Sequence, residues 1–160
     1  MTPTGPSHER TFEILLIEDN EADARLMKIA WAECAVVGSH VSLLQNSKDA
    51  IVYLRRAEPY TSAVRPDLII LDYKMPVDGG IALTEIKADP DYLHLPVVVL
   101  TGSSNPHDWL DCYRRHANCV YRKPSTLDDW FRLINHVAEH WFRCTVLPQP
   151  EQPGSPGFGS

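Results

Sequence analysis

The sequence has no apolar run approaching the roughly 18 residues that a membrane-spanning helix needs, and its opening stretch, MTPTGPSHER, lacks the apolar segment of a secretion signal. Both absences predict a cytoplasmic protein with no membrane partner. Cysteine is scarce: Cys34, Cys112, Cys119 and Cys144 form no CxxC pair. Isolated thiols among apolar neighbours read as buried or half-buried side chains in a reducing compartment, not as zinc ligands or disulfides. Positive charge is scarce too. The chain carries 15 Lys and Arg against 21 Asp and Glu, a net −6, with no clustered basic face. Nucleic acid is therefore excluded as an expected partner, and an acidic balance suits a protein-binding module. No internal repeat of solenoid length is apparent.

What remains fits one soluble domain: 160 residues, 44% hydrophobic and 22% charged. Residues 1–10 and 145–160, rich in Pro and Gly and poor in apolar side chains, are expected to be disordered tails flanking a folded domain over 11–144. Within it, short β-rich runs alternate with helical patterns. Strands are expected at 12–17, 41–44, 67–71, 96–100 and 119–121, and helices at 23–34, 49–57, 81–88, 107–116 and 127–142. Runs such as DLIIL and PVVVL are apolar on both faces, as strands of a parallel sheet covered by helices on each side must be. The fold class is doubly wound α/β, built from five βα units. Asn20 with Asp23, Ser125 with Asp128, and Asn105 before Pro106 read as helix starts. In the last helix Leu127, Trp130, Phe131, Ile134, Val137, Ala138 and Trp141 form a wide apolar stripe. Trp141 and Phe142 end it, either capping the core or offering a surface to a partner.

In such a sheet, ligands bind beyond the carboxyl ends of the strands, so the residues there carry the function. Glu18 and Asp19 follow the first strand, Asp72 the third, Thr101 the fourth, and Lys123 and Pro124 the fifth. Two carboxylates about 4 Å apart repel by roughly 4 kcal/mol at an effective dielectric of 20. A hard divalent cation removes that cost, and Mg²⁺ suits a site of a few carboxylates completed by water and phosphate oxygens. Phosphoryl transfer needs a nucleophile, charge neutralisation and donors to the equatorial oxygens. Asp72 can attack, a Mg²⁺ held by Asp19 can neutralise, and Lys123 and the Thr101 hydroxyl can hold the oxygens.

With these residues placed, residues 12–142 resemble the receiver domain of bacterial response regulators, through LLIEDNEAD, LIILDYKMP, VVVLTG and RKP. The resemblance implies a flavodoxin-like strand order 2-1-3-4-5, Asp72 as phosphoacceptor, Glu18 and Asp19 as the acidic pair, Lys123 as the partner lysine and Thr101 as the switch hydroxyl. It further implies a Mg²⁺ ligand from the Lys74 backbone carbonyl and a cis Lys123–Pro124 peptide. Such a receiver is no enzyme beyond its own phosphorylation and autodephosphorylation.

The ExAD helix start, the loop AEPYTSAVRPD, the stretch EIKADPDYLHLPVVVLTGS and the ending EHWFRCTVLP are similar to single-domain response regulators that accompany phytochrome photoreceptor kinases. That implies a light-regulated sensor histidine kinase as donor, and a homodimer through the face of the fourth helix, fifth strand and fifth helix, where Trp109, Trp130 and Trp141 lie. Two positions depart from the pattern. Val120 stands where receivers carry an aromatic switch residue, with Tyr121 one place later and directed to the other side of the strand. In VDGG, Gly80 aligns with the family glycine and Gly79 replaces its acidic neighbour. Lys74 and Ser103 lie where receivers tune hydrolysis.

Other readings fare worse. HVAEH at 136–140 matches a zinc-protease pattern but sits in a closing helix without the surrounding protease body. An Asp-nucleophile phosphatase wants a second Asp where Lys74 stands, and a flavin phosphate would be repelled by EDNEAD. A receiver-like adaptor that is never phosphorylated is the alternative of a different class.

Overall fold

The computed structural model describes residues 10–73 and 79–149. Five strands, β1 (Phe12–Ile17), β2 (Ser39–Leu44), β3 (Leu68–Asp72), β4 (Val97–Thr101) and β5 (Cys119–Arg122), form a parallel sheet in the order β2-β1-β3-β4-β5. Between and after them run α1 (Glu21–Ala32), α2 (Ser47–Leu54), α3 (Gly79–Ala88), α4 (Pro106–Arg114) and α5 (Leu127–Ala138). The expected architecture and strand order are those observed. Helix bounds shift by a few residues, as fraying ends allow. Strands β3 and β4 run on to include Asp72 and Thr101, so both polar residues close their strands instead of following them.

Side chains of successive strand residues point to opposite faces, and the core divides accordingly. Leu15, Ile17, Ile69, Leu71, Val97 and Val99 pack with residues of α2 and α3, and Cys112 of α4 joins them. Ile14, Leu16, Leu68, Ile70, Val98 and Leu100 pack under α1 and α5, against Met27, Trp31, Trp130, Ile134 and Val137. Val120 faces the first layer and Tyr121 the second, as the alternation requires. Helix α4 is thinly anchored, with Cys112 its one buried residue.

Capping follows side-chain chemistry. Asn20, Asn46 and Asn105 are extended, and each accepts a backbone N–H of the following helix. For α5 the cap is Thr126, not Ser125: Thr126 holds the extended conformation and its Oγ1 accepts Asp129 N–H at 3.2 Å. Two adjacent hydroxyl residues look alike in sequence, and backbone geometry selects one. Thr126→Ala is expected to lower stability by about 1 kcal/mol, whereas Ser125→Ala changes little; the two denaturation midpoints check this.

The last helix does not run regularly to residue 142. It ends at Ala138 and continues as a π-helical segment, Glu139–Cys144, with Thr145 N–H bonded to the His140 carbonyl. The wider winding sets Phe142 in a stack on Phe12 of β1, with ring centroids 4.1 Å apart, and beside Trp31. Trp141 and Phe142 are half-buried against the α1–α5 layer. Arg10 pairs with Asp67 and covers the Phe12 ring, and Leu147 is buried, because a cation beside an aspartate and a leucine at the domain surface each find partners that composition does not reveal. Cys144 is exposed, whereas the other three thiols are buried or half-buried.

Candidate phosphoryl-transfer site

The ladder of the sheet lines up the strand ends. Glu18 N–H donates to the Leu44 carbonyl, Tyr73 N–H to Leu100 and Lys123 N–H to Thr101. Asp72 pairs with Leu100 across β3 and β4, and Thr101 with Arg122 across β4 and β5. These pairings bring Glu18, Asp72, Thr101 and Lys123, distant in sequence, to one edge.

Glu18, Asp19 and Asp72 each offer a carboxylate oxygen, all within 4.8 Å of one another. Glu18 is fully buried and Asp72 nearly so, at 4% exposure, while Asp19 faces solvent. The Lys123 ammonium reaches Glu18 Oε2 at 2.8 Å, Asp23 Oδ2 at 2.9 Å and Asp72 Oδ2 at 3.2 Å. Asn20 N–H donates to Glu18 Oε1 at 3.0 Å. Burial and the hydrogen bond with Asp72 push the Glu18 carboxyl up to about 7, although Lys123 and the Asn20 amide pull it down. Burial works against the Lys123 charge, yet its bonds to Glu18 and Asp23 and the charge of Asp72 hold its pKa above the ordinary lysine range. Thr101 is buried, and its Oγ1 accepts Ser103 N–H at 3.0 Å.

The set is all hard oxygen with one solvent-facing member, and the raised pKa of buried Glu18 reflects negative charge that a cation would offset. That fits a small divalent ion with an open side. Lys74 lies outside the described residues. Two expectations change. Lys123–Pro124 is not cis; among the described residues the cis peptide is Glu58–Pro59. The trans form, which X–Pro bonds favour, already delivers the lysine to three carboxylates. Asp23, taken from sequence as part of a helix start, is also a lysine partner, a role its place one turn after Asp19 could have suggested. His136, Glu139 and His140 are exposed where α5 passes into the π-helix, and the metal-capable cluster among the described residues is the acidic one.

Comparison with known proteins agrees with this geometry: the family described as response regulator receiver domain matches residues 14–135. The chain belongs to that family. It is 35% identical to the response regulator Rcp1 of Synechocystis sp., over 84% of this chain and 92% of that protein. The phosphorylated cyanobacterial phytochrome response regulator RcpA superposes with a TM-score of 0.81 at 38% identity, covering 88% of this chain and all of that one. The Mn(2+)-bound form of Rcp1 gives 0.78 at 34%, covering 86% and 99%. The receiver is thus homologous to phytochrome response regulators. Among its described residues, no helix is long and apolar enough to cross a membrane.

Proposed function

We propose that this receiver accepts a phosphoryl group on Asp72 from the phosphohistidine of a sensor histidine kinase of the light-regulated phytochrome type, in the cytoplasm, and signals through a changed surface. The observation that carries this reading is the convergence of Lys123 with Glu18, Asp23 and Asp72 at the strand ends. An Asp72 carboxylate oxygen attacks phosphorus, the P–N bond of the donor breaks, and the histidine leaves with its electron pair as an acyl phosphate forms. Lys123 transfers its contact to the new phosphoryl oxygens, and the Thr101 hydroxyl turns to donate to one. Mg²⁺, held by Glu18, Asp19, Asp72 and the Lys74 carbonyl, would neutralise the charge of the transferring group. Water later cleaves the acyl phosphate to restore Asp72, so the chain acts only on its own phosphoryl group. Relatedness to a phosphorylated phytochrome regulator and to a metal-bound one supports both the donor class and the divalent ion.

Phosphorylation adds about −1.5 to −2 charge. Inverting a 1:99 switch takes about 5.5 kcal/mol, within reach of a few charge-assisted bonds at roughly 1.5–3 kcal/mol each. The output surface is the face of α4, β5 and α5, where Trp109, Tyr113, Val120, Tyr121 and Arg122 line a shallow cavity and Leu110 and Leu127 are exposed. A second copy of this chain is the proposed occupant. Intact mass after incubation with Mg²⁺ and acetyl phosphate tests the chemistry. A chelator-sensitive phosphoryl adduct is expected on the wild type and none on Asp72→Asn; a wild type without adduct would favour the adaptor reading.

A further inference from the structure

Helix α4 owes little of its position to apolar burial, with Cys112 alone in the core. Polar contacts hold it instead, and one set begins next to the phosphoacceptor. The Tyr73 hydroxyl donates to Asp111 Oδ2 on α4. Arg115 Nε, at the end of the same helix, donates to that same oxygen at 2.8 Å. The Arg115 guanidinium then crosses to α3, donating from Nη1 to Thr84 Oγ1 at 2.9 Å and to the Gly80 carbonyl at 3.3 Å. Gly80 makes room for it, because a Cβ there would meet Arg115 Cζ at 3.3 Å. The Tyr73 backbone is in turn pinned to β4 through its N–H to the Leu100 carbonyl, one residue before Thr101. A displacement of the Asp72–Thr101 edge therefore reaches the Tyr73 ring directly, and the ring reaches α4. Val120 supplies no ring on β5 for this purpose.

The geometry points to Tyr73, Asp111 and Arg115 as positioning residues, a tether that holds α4 to the β3 and α3 ends in the unphosphorylated state and releases it when Asp72 is phosphorylated. This rests on the receiver reading above. It assigns the coupling to the residue after the acceptor aspartate and to the body of α4, in place of an aromatic residue at position 120. The tether is local and bistable in kind: a shared carboxylate oxygen can keep its arginine while losing the phenol, so α4 loosens without the domain unfolding.

Hydrogen exchange of residues 106–114 in the full chain, with and without Mg²⁺ and acetyl phosphate, tests the tether, with intact mass read from the same samples. In the wild type, α4 exchange should rise on adduct formation by about fivefold, the fold-change of one net hydrogen bond. Tyr73→Phe should still take the adduct, should exchange at the raised rate before any phosphodonor is added, and should gain little more afterwards. Asp111→Ala, which removes the phenol's acceptor from the α4 side, should behave alike and serves if Tyr73→Phe does not fold. Wild-type exchange that ignores the adduct, or a folded variant that responds as the wild type does, would overturn the inference. So would a Tyr73→Phe chain that loses the adduct, since the hydroxyl would then act in the transfer itself. No adduct on the wild type would instead remove the proposed phosphoryl transfer, and the tether's role with it.

Discussion

Lys123→Met is expected to lower the stability of the metal-free protein at pH 8 by about 3–5 kcal/mol, the cost of leaving buried charge without its partner. The lysine faces Glu18 at 2.8 Å and Asp72 at 3.2 Å, and both carboxylates are almost wholly removed from water. Methionine retains much of the apolar stem, so the loss reports charge more than volume. The deficit should shrink at pH 5. Removing the lysine deletes one of the two influences that hold the Glu18 pKa down, so the orphaned carboxyl takes a proton and its charge disappears. Urea denaturation in chelator at the two pH values measures the difference. Equal deficits at both would show that the lysine matters for packing and not for charge.

The second large effect is the pH dependence of the metal-free fold and its reversal by Mg²⁺. Glu18 sits at about 7 in the folded chain against an ordinary 4.5. The folded state thus binds more protons than the unfolded chain across that interval, and the sign follows: this contribution to stability is fully present below 4.5 and is lost as pH rises through about 7. A shift of that size is worth about 3 kcal/mol at 1.36 kcal/mol per unit. A divalent ion takes over where the proton leaves. At a hundred times its dissociation constant it stabilises by about 2.7 kcal/mol, but protons compete for the same oxygens at low pH. Thermal unfolding should therefore show a larger Mg²⁺-induced rise in Tm at pH 8 than at pH 5. Glu18→Gln should flatten the chelator profile. An equal Mg²⁺ effect at both pH values would place the ion away from Glu18.

These expectations share a cause with the proposed chemistry. The site concentrates negative charge at the end of a buried parallel sheet, and the charge is tolerable only with Lys123 and either a proton or a cation present. The arrangement that costs stability at neutral pH is the one that, in the proposed chemistry, prepares Asp72 to receive a phosphoryl group. Release of α4 through Tyr73 would carry the result outward to the face bearing Trp109 and Tyr113.

Much of this was legible in the residues themselves. Doubly apolar runs such as DLIIL and PVVVL require a covered parallel sheet, alternating helices require crossovers, and polar residues at consecutive strand ends can only converge. Glu18, Asp72, Thr101 and Lys123 were readable for that reason: strand ends are set by local pattern, and a parallel sheet aligns them. Tertiary structure decided the rest. The choice of Thr126 over Ser125 as cap, the π-helical turn that seats Phe142 on Phe12, the burial of Leu147, the trans Lys123–Pro124 peptide and the second partner Asp23 depend on backbone geometry or on contacts between segments far apart in sequence. The tether from Tyr73 through Asp111 to Arg115 and Gly80 is of the same kind. Asp111 and Arg115 are an i, i+4 pair that the helical period supplies, but only the packing of α3 and α4 beside the end of β3 brings the Tyr73 phenol, the Thr84 hydroxyl and the Gly80 carbonyl within hydrogen-bonding distance of that pair.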